Sequence, residues 1–101
     1  MTPQPIGIAT ATGPMPGIFN LPSNGVIHVE TFGSVSGVSA TLQVQGTISG
    51  TNWASVGSAI TQTGTTPTFT VASTAGAINF TRYRINVTAL SGGSVTAYVG
   101  A

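Results

Sequence analysis

The sequence predicts an all-β fold, an antiparallel β-sandwich or jelly-roll-like fold with about six to eight short strands and an extended N-terminal arm. Three observations predict it. Apolar and polar residues alternate with a period of two in several short runs, and no run carries the 3.6-residue period of an amphipathic helix. Clusters of Gly, Ser, Thr and Asn punctuate these runs roughly every 8–12 residues. Five of the 6 prolines fall within residues 1–25, which excludes a helix or a central strand there.

Taken in order, residues 1–25 read as an arm and residues 26–101 as the sandwich domain. The arm carries Ile6, Ile8, Met15, Ile18, Phe19 and Leu21 among its prolines and glycines, more apolar side chain than a disordered tail usually holds. It is expected to lie against its own sandwich, a neighbouring subunit or a larger surface; the alternative is an unattached terminus. Its deletion is expected to leave the sandwich folded and to abolish docking or oligomerisation. Ile6, Ile8, Ile18, Phe19 and Leu21 are therefore candidate partner-binding residues.

Val26–Phe32 (VIHVETF) is the first strand of the domain. Ala40, Leu42 and Val44 then alternate with Thr41, Gln43 and Gln45, giving one buried and one polar face. Ile48 extends that apolar face past Gly46, where a bulge or a close backbone approach is expected. Ser49–Asn52 is a turn, and the chain returns in a short strand, Trp53–Val56. Thr66–Val71 is a strand with Phe69 and Val71 on one side, placed at an edge or strand start by Pro67. Tyr83, Ile85, Val87 and Ala89 alternate with Arg82, Arg84, Asn86 and Thr88. Leu90 leads into Ser91-Gly92-Gly93-Ser94, where glycine supplies the positive φ of a tight hairpin. Val95, Ala97 and Val99 return, with Thr96 and Tyr98 outward.

Trp53 is expected to plug one end of the core, with a stacking platform for sugars as the alternative. Phe69, Phe80 and Tyr83 are expected in the core or at its edge. His28 and Glu30 share an outward row, as do Arg82 and Arg84. These four are the remaining partner-binding candidates, pairing within a subunit if their strands are neighbours and across an interface if they are not.

Charge is the scarcest property of the chain: of 101 residues only Glu30, Arg82 and Arg84 are formally charged, with 1 His and no Cys. Zinc needs three or four Cys, His or carboxylate ligands, and calcium several convergent carboxylates. Glycosidases use a pair of carboxyl groups, and a phosphate-cradling P-loop needs a Lys. A Ser–His–acid arrangement would have to use His28 and Glu30, which on one strand lie about 7 Å apart, too far for a direct hydrogen bond. The expectation is no enzyme, no catalytic residue, no metal and no cofactor or small-molecule substrate. A net charge of +1 leaves no basic footprint for nucleic acid. Mean hydropathy is positive, yet no run of about 18 apolar residues exists to cross a membrane, and a transmembrane barrel of at least eight strands of roughly ten residues would need more chain than this. No signal peptide is expected, and the missing cysteines suit folding in a bacterial cytoplasm.

Two longer runs make the pattern more specific. Leu42–Gly57 (LQVQGTISGTNWASVG) combines a strand ending in Gln-Gly, a turn built on Gly-Thr-Asn, and Trp. Tyr83–Val99 (YRINVTALSGGSVTAYV) combines an Arg-bearing strand, a Gly-rich turn and a Thr/Val strand. Together they resemble β-sandwich modules of tailed-bacteriophage virion proteins, with Ser49 where that family usually has Asp. The resemblance covers most of residues 35–100. It implies a structural virion protein, either a capsid decoration (cement) protein or a module of a tail or fibre.

A chain running from Met1 to one residue beyond its last strand is expected to be freestanding, which favours the decoration protein. The resemblance then implies a homotrimer on the capsid exterior, made in the host cytoplasm, with the major capsid protein of the same virion as partner. The alternative is a tail- or fibre-associated module that recognises a host glycan, stacking it on Trp53, Tyr98 or Phe32.

Overall fold

A computed structural model of the chain describes residues 4–20, 26–73 and 80–100. Among these, eight strands run in chain order: β1 (Gln4–Ala9), β2 (Gly13–Pro14), β3 (Val26–Gly33), β4 (Ser39–Thr47), β5 (Trp53–Thr63), β6 (Thr68–Ser73), β7 (Arg82–Ser91) and β8 (Val95–Gly100). They form two four-stranded sheets, in the order β1-β8-β3-β6 and β2-β7-β4-β5, with every neighbouring pair antiparallel. The expected all-β sandwich is the observed architecture.

The period-two pattern explains how the two sheets face each other. Ile27 and Val29 of β3 and Val95, Ala97 and Val99 of β8 point inward from the first sheet. Ala40, Leu42 and Val44 of β4 and Tyr83, Ile85 and Val87 of β7 meet them from the second. Each fully buried Leu, Ile or Val contributes about 1.5–3 kcal/mol. The hairpin between β7 and β8 turns on Gly92 and Gly93 at φ 78° and 152°. A side chain on Gly92 would also collide with the Gly37 carbonyl.

β5 runs from Trp53 to Thr63, well beyond the short strand expected to end at Val56. Its register against β4 jumps from Leu42↔Ile60 to Val44↔Val56, so residues 57–59 face Gln43 alone. The Gln43 amide holds this bulge open, donating towards the carbonyls of Val44, Val56 and Gly57 at 3.0, 3.1 and 3.2 Å. Such irregularities re-aim a strand without ending it.

The proposed division into an arm and a domain does not describe residues 4–19. β1 pairs with β8 at the edge of the first sheet. The chain then crosses over and lies along β7 at the edge of the second, with Met15 N–H donating to the Ile85 carbonyl and Phe19 and Tyr83 exchanging both backbone hydrogen bonds. At the crossing, Gly17 N–H donates to the Ile6 carbonyl, and a Cβ on Gly17 would lie 2.7 Å from the Ile6 Cα. The prolines are tolerated because an edge strand has one side on which a missing N–H costs no ladder bond. Ile6, Ala9, Met15 and Phe19 are buried in the common core, so Ile6 and Phe19 are core residues of this subunit and not partner contacts. For the same reason the segment cannot be removed without opening the core. Ile8 and Ile18 remain 64% and 45% exposed. Leu21 lies outside the described residues.

One aromatic and one aliphatic expectation also change. Tyr83 and Phe80 do pack at the core, Tyr83 stacked on Phe19 at 5.7 Å and edge-on to Phe80 at 6.0 Å, with the Phe80 N–H donating to its hydroxyl. Phe69, however, is 76% exposed. β6 pairs with β3 so that Thr68, Thr70 and Ala72 lie beside Thr31, Val29 and Ile27 on the inner face. A slip by one residue would bring Phe69 and Val71 inside at the cost of the whole register. Ile48, expected to prolong the buried face of β4, is 62% exposed.

Buried polar groups are few and paired. Gln62, fully buried, accepts from the Thr31 hydroxyl at 2.8 Å and donates towards the carbonyls of Thr63, Gly64 and Thr66. One side chain thereby ties the two sheets and the 63–66 turn together. No described buried side-chain polar atom lacks a partner, as a stable interior requires.

Candidate functional site

Alternation leaves each sheet with an outward face, and the two faces hold different residues. On the first sheet, the outward positions of β3 are His28, Glu30 and Phe32, flanked by β8 and then β6 or β1. The register sets them in three rows: Gly100–His28–Val71, Tyr98–Glu30–Phe69 and Ile8–Thr96–Phe32. Phe32 and Tyr98 stack at 6.0 Å with 20° between their planes. Val71 is 60% exposed beside Phe69. Several large apolar side chains are thus contiguous and open to water, which marks interaction surfaces more often than chance scatter.

The middle of this face is hollowed. A cleft of about 290 Å³ is lined by His28, Glu30, Phe69, Val71, Tyr98 and Gly100. Gly100 leaves one wall low, Phe69 and Tyr98 raise the walls beside Glu30, and β3 is the floor. That volume sits at the small end of small-molecule sites, about 300 Å³ and upward, and suits one or two protruding side chains.

The site residues expected from sequence divide between the two faces. His28 and Glu30 share the outward side of β3, as expected, and the sheet order places them at the centre of this face. Arg82 and Arg84 lie on β7 in the other sheet, so the two charged rows do not pair within the chain. Arg84 donates from Nε to Gln45 Oε1 at 2.8 Å, and its guanidinium carbon sits 4.0 Å above the centre of the Trp53 ring. Trp53 is accordingly half-buried on the outside of the second sheet and does not plug the core; one face of its ring is already occupied. Arg82 is exposed and reaches over the Ser49–Asn52 turn, close to Gly50.

Glu30 has no such neighbour. It is partly buried, and no hydrogen bond or ion pair from the described residues reaches its carboxylate. The arrangement offers one carboxylate between aromatic walls and, one row along, one imidazole between Gly100 and Val71. It is equipped to hold a complementary group by charge, stacking and apolar contact.

Phe69 and Val71 are the site residues that sequence reasoning assigned elsewhere. The alternation placed them on one side of their strand, but only pairing with β3 reveals which side faces water. Pro67, an edge-strand signal, was the available hint.

No protein-family model, no curated protein and no solved structure matches this chain.

Proposed function

We propose that this protein is a structural component of a tailed-phage particle, a decoration (cement) protein that docks on the outer surface of the head and stabilises it. The observation that carries this is the pairing of a contiguous aromatic and aliphatic patch on one outer face with a face whose polar groups are largely occupied by one another. A docking component needs one adhesive side and one side that can remain in water. The sequence resemblance at Leu42–Gly57 and Tyr83–Val99 supplies the particle.

The adhesive element is the outer face of the first sheet, with Ile8 at its margin, in place of the N-terminal segment as a whole. Each large apolar side chain buried on docking contributes about 1.5–3 kcal/mol before ordering costs. Weak individual sites suffice when a lattice presents many copies and subunits assemble symmetrically; a homotrimer on the major capsid protein fits that scheme.

Purified particles test the proposal. The protein is expected at near-stoichiometric copy number on the head, and Phe69→Ser protein is expected to fold and to be missing from it. Labelling that finds the protein only on the tail would end this proposal. It would favour the glycan-binding alternative, for which the Phe32–Tyr98 stack beside Glu30 is the relevant surface.

A further inference from the structure

We infer that the cleft over β3 receives a Lys or Arg side chain from a different polypeptide, flanked by an apolar residue, with Glu30 as its counter-ion and Phe69 and Tyr98 as its walls. This deepens the docking proposal and rests on it.

Charge complementarity identifies the occupant. Glu30 is the chain's single acidic side chain, and it is placed at the floor of a cleft with aromatic residues in register on both sides, Tyr98 on β8 and Phe69 on β6. A carboxylate left beside apolar groups without a partner is costly, and a cation removes that cost. Aromatic walls favour the same occupant, because a guanidinium or ammonium group is attracted to ring faces and its aliphatic stem packs on apolar surface. An anionic group would meet the carboxylate, and a purely apolar one would leave it desolvated. Along the cleft the next row, Gly100–His28–Val71, gives space over Gly100 and an apolar contact at Val71 for the neighbouring residue of the partner.

A second copy of this chain is the weaker occupant. Two first-sheet faces brought together would bury two Glu30 carboxylates without an arginine between them. The second-sheet face offers Arg84 already held by Gln45 and Trp53, and Arg82 drawn over the 49–52 turn. Arg84 is therefore engaged, whereas Arg82, exposed, is the one arginine a second copy could offer; the test below separates that arrangement from a basic side chain of another protein.

The test is a resonance-by-resonance titration of the isotopically labelled full chain with the peptide acetyl-Val-Arg-Val-amide, its citrulline counterpart and acetyl-Val-Glu-Val-amide. The arginine peptide is expected to shift resonances of residues 28–30, 69–71 and 98–100. Citrulline in the peptide, or Glu30→Gln in the protein, is expected to weaken binding about tenfold or more, as removal of one partner of a desolvated charge pair does. Phe69→Ser is expected to abolish it, with shifts elsewhere reporting that both variants remain folded.

Equal binding of the arginine and citrulline peptides overturns the inference, as does binding undiminished by Glu30→Gln or the absence of shifts at these residues. Concentration-dependent shifts of both Glu30 and Arg82 without peptide would assign the cleft to a second copy and overturn it too. On particles, full occupancy by Glu30→Gln protein with loss of Phe69→Ser protein would discard the basic side chain and keep the docking face. Absence of the wild-type protein from heads would instead discard the docking proposal.

Discussion

On the outside of the second sheet, Arg84 lies between the Trp53 ring and the Gln45 amide, and Gln43 points its amide at three backbone carbonyls. On the outside of the first sheet, Glu30 meets no partner within the described chain, and Phe69 and Val71 stand in water. Both faces come from the same alternation, and both carry rare charge next to aromatic rings. The difference lies in which charge has its partner on the same sheet. A face that answers its own polar groups contributes to folding, whereas a face that leaves them unanswered is available to something else. With only three formal charges in the chain, that distribution is legible residue by residue.

The comparison can be broken or sharpened by substitution, the largest effects coming from the layer that both faces share. Tyr83→Ala, which removes a fully buried ring packed between Phe19 and Phe80, should cost about 3–5 kcal/mol in urea unfolding and leave neither face to compare. Deleting residues 4–19 should be at least as damaging, read as loss of dispersed amide resonances; a folded, stable deletion product would return this segment to the status of an arm. Gln62→Ala should cost about 2–4 kcal/mol, because the Thr31 hydroxyl and the 63–66 carbonyls lose a buried partner. Arg84→Ala, on the self-satisfied face, should cost about 1–2 kcal/mol through the lost hydrogen bond and cation–π contact. Phe69→Ser should cost less than about 1 kcal/mol while removing particle binding. If Phe69→Ser destabilised the protein more than Arg84→Ala, the distinction between a docking face and a structural face would fail.

Much of the sandwich was legible because β3, β4, β7 and β8 each bury alternate residues over long runs, and because Gly92-Gly93 announces its hairpin. The N-terminal segment was misread for a physical reason. Proline argues against a strand inside a sheet, and nothing local distinguishes an isolated extended segment from one lying along an edge; the difference is made by β7 and β8, far away in sequence. Gln62 illustrates another limit, since a glutamine among threonines reads as solvent-facing until Thr31 and three carbonyls from the adjoining turn are seen around it. At the candidate site, His28 and Glu30 were found by their rarity. Phe69 was missed because a period of two reports that residues share a side, and the partner strand decides which side is wet.

The way residues 4–19 are laid down has a consequence for how the molecule is made. β1 pairs with β8, and the stretch after it pairs with β7, so β1 and β2 have no partners until β7 and β8 have been synthesised. Until then the β7- and β8-facing positions are empty and Ile6, Met15 and Phe19 have nothing to bury against. Closure of the two sheets is therefore a late, long-range step, of the kind that makes β-sandwiches slow folders. In any cell that makes the chain, the waiting time of that first segment sets how long each nascent chain remains open to its neighbours.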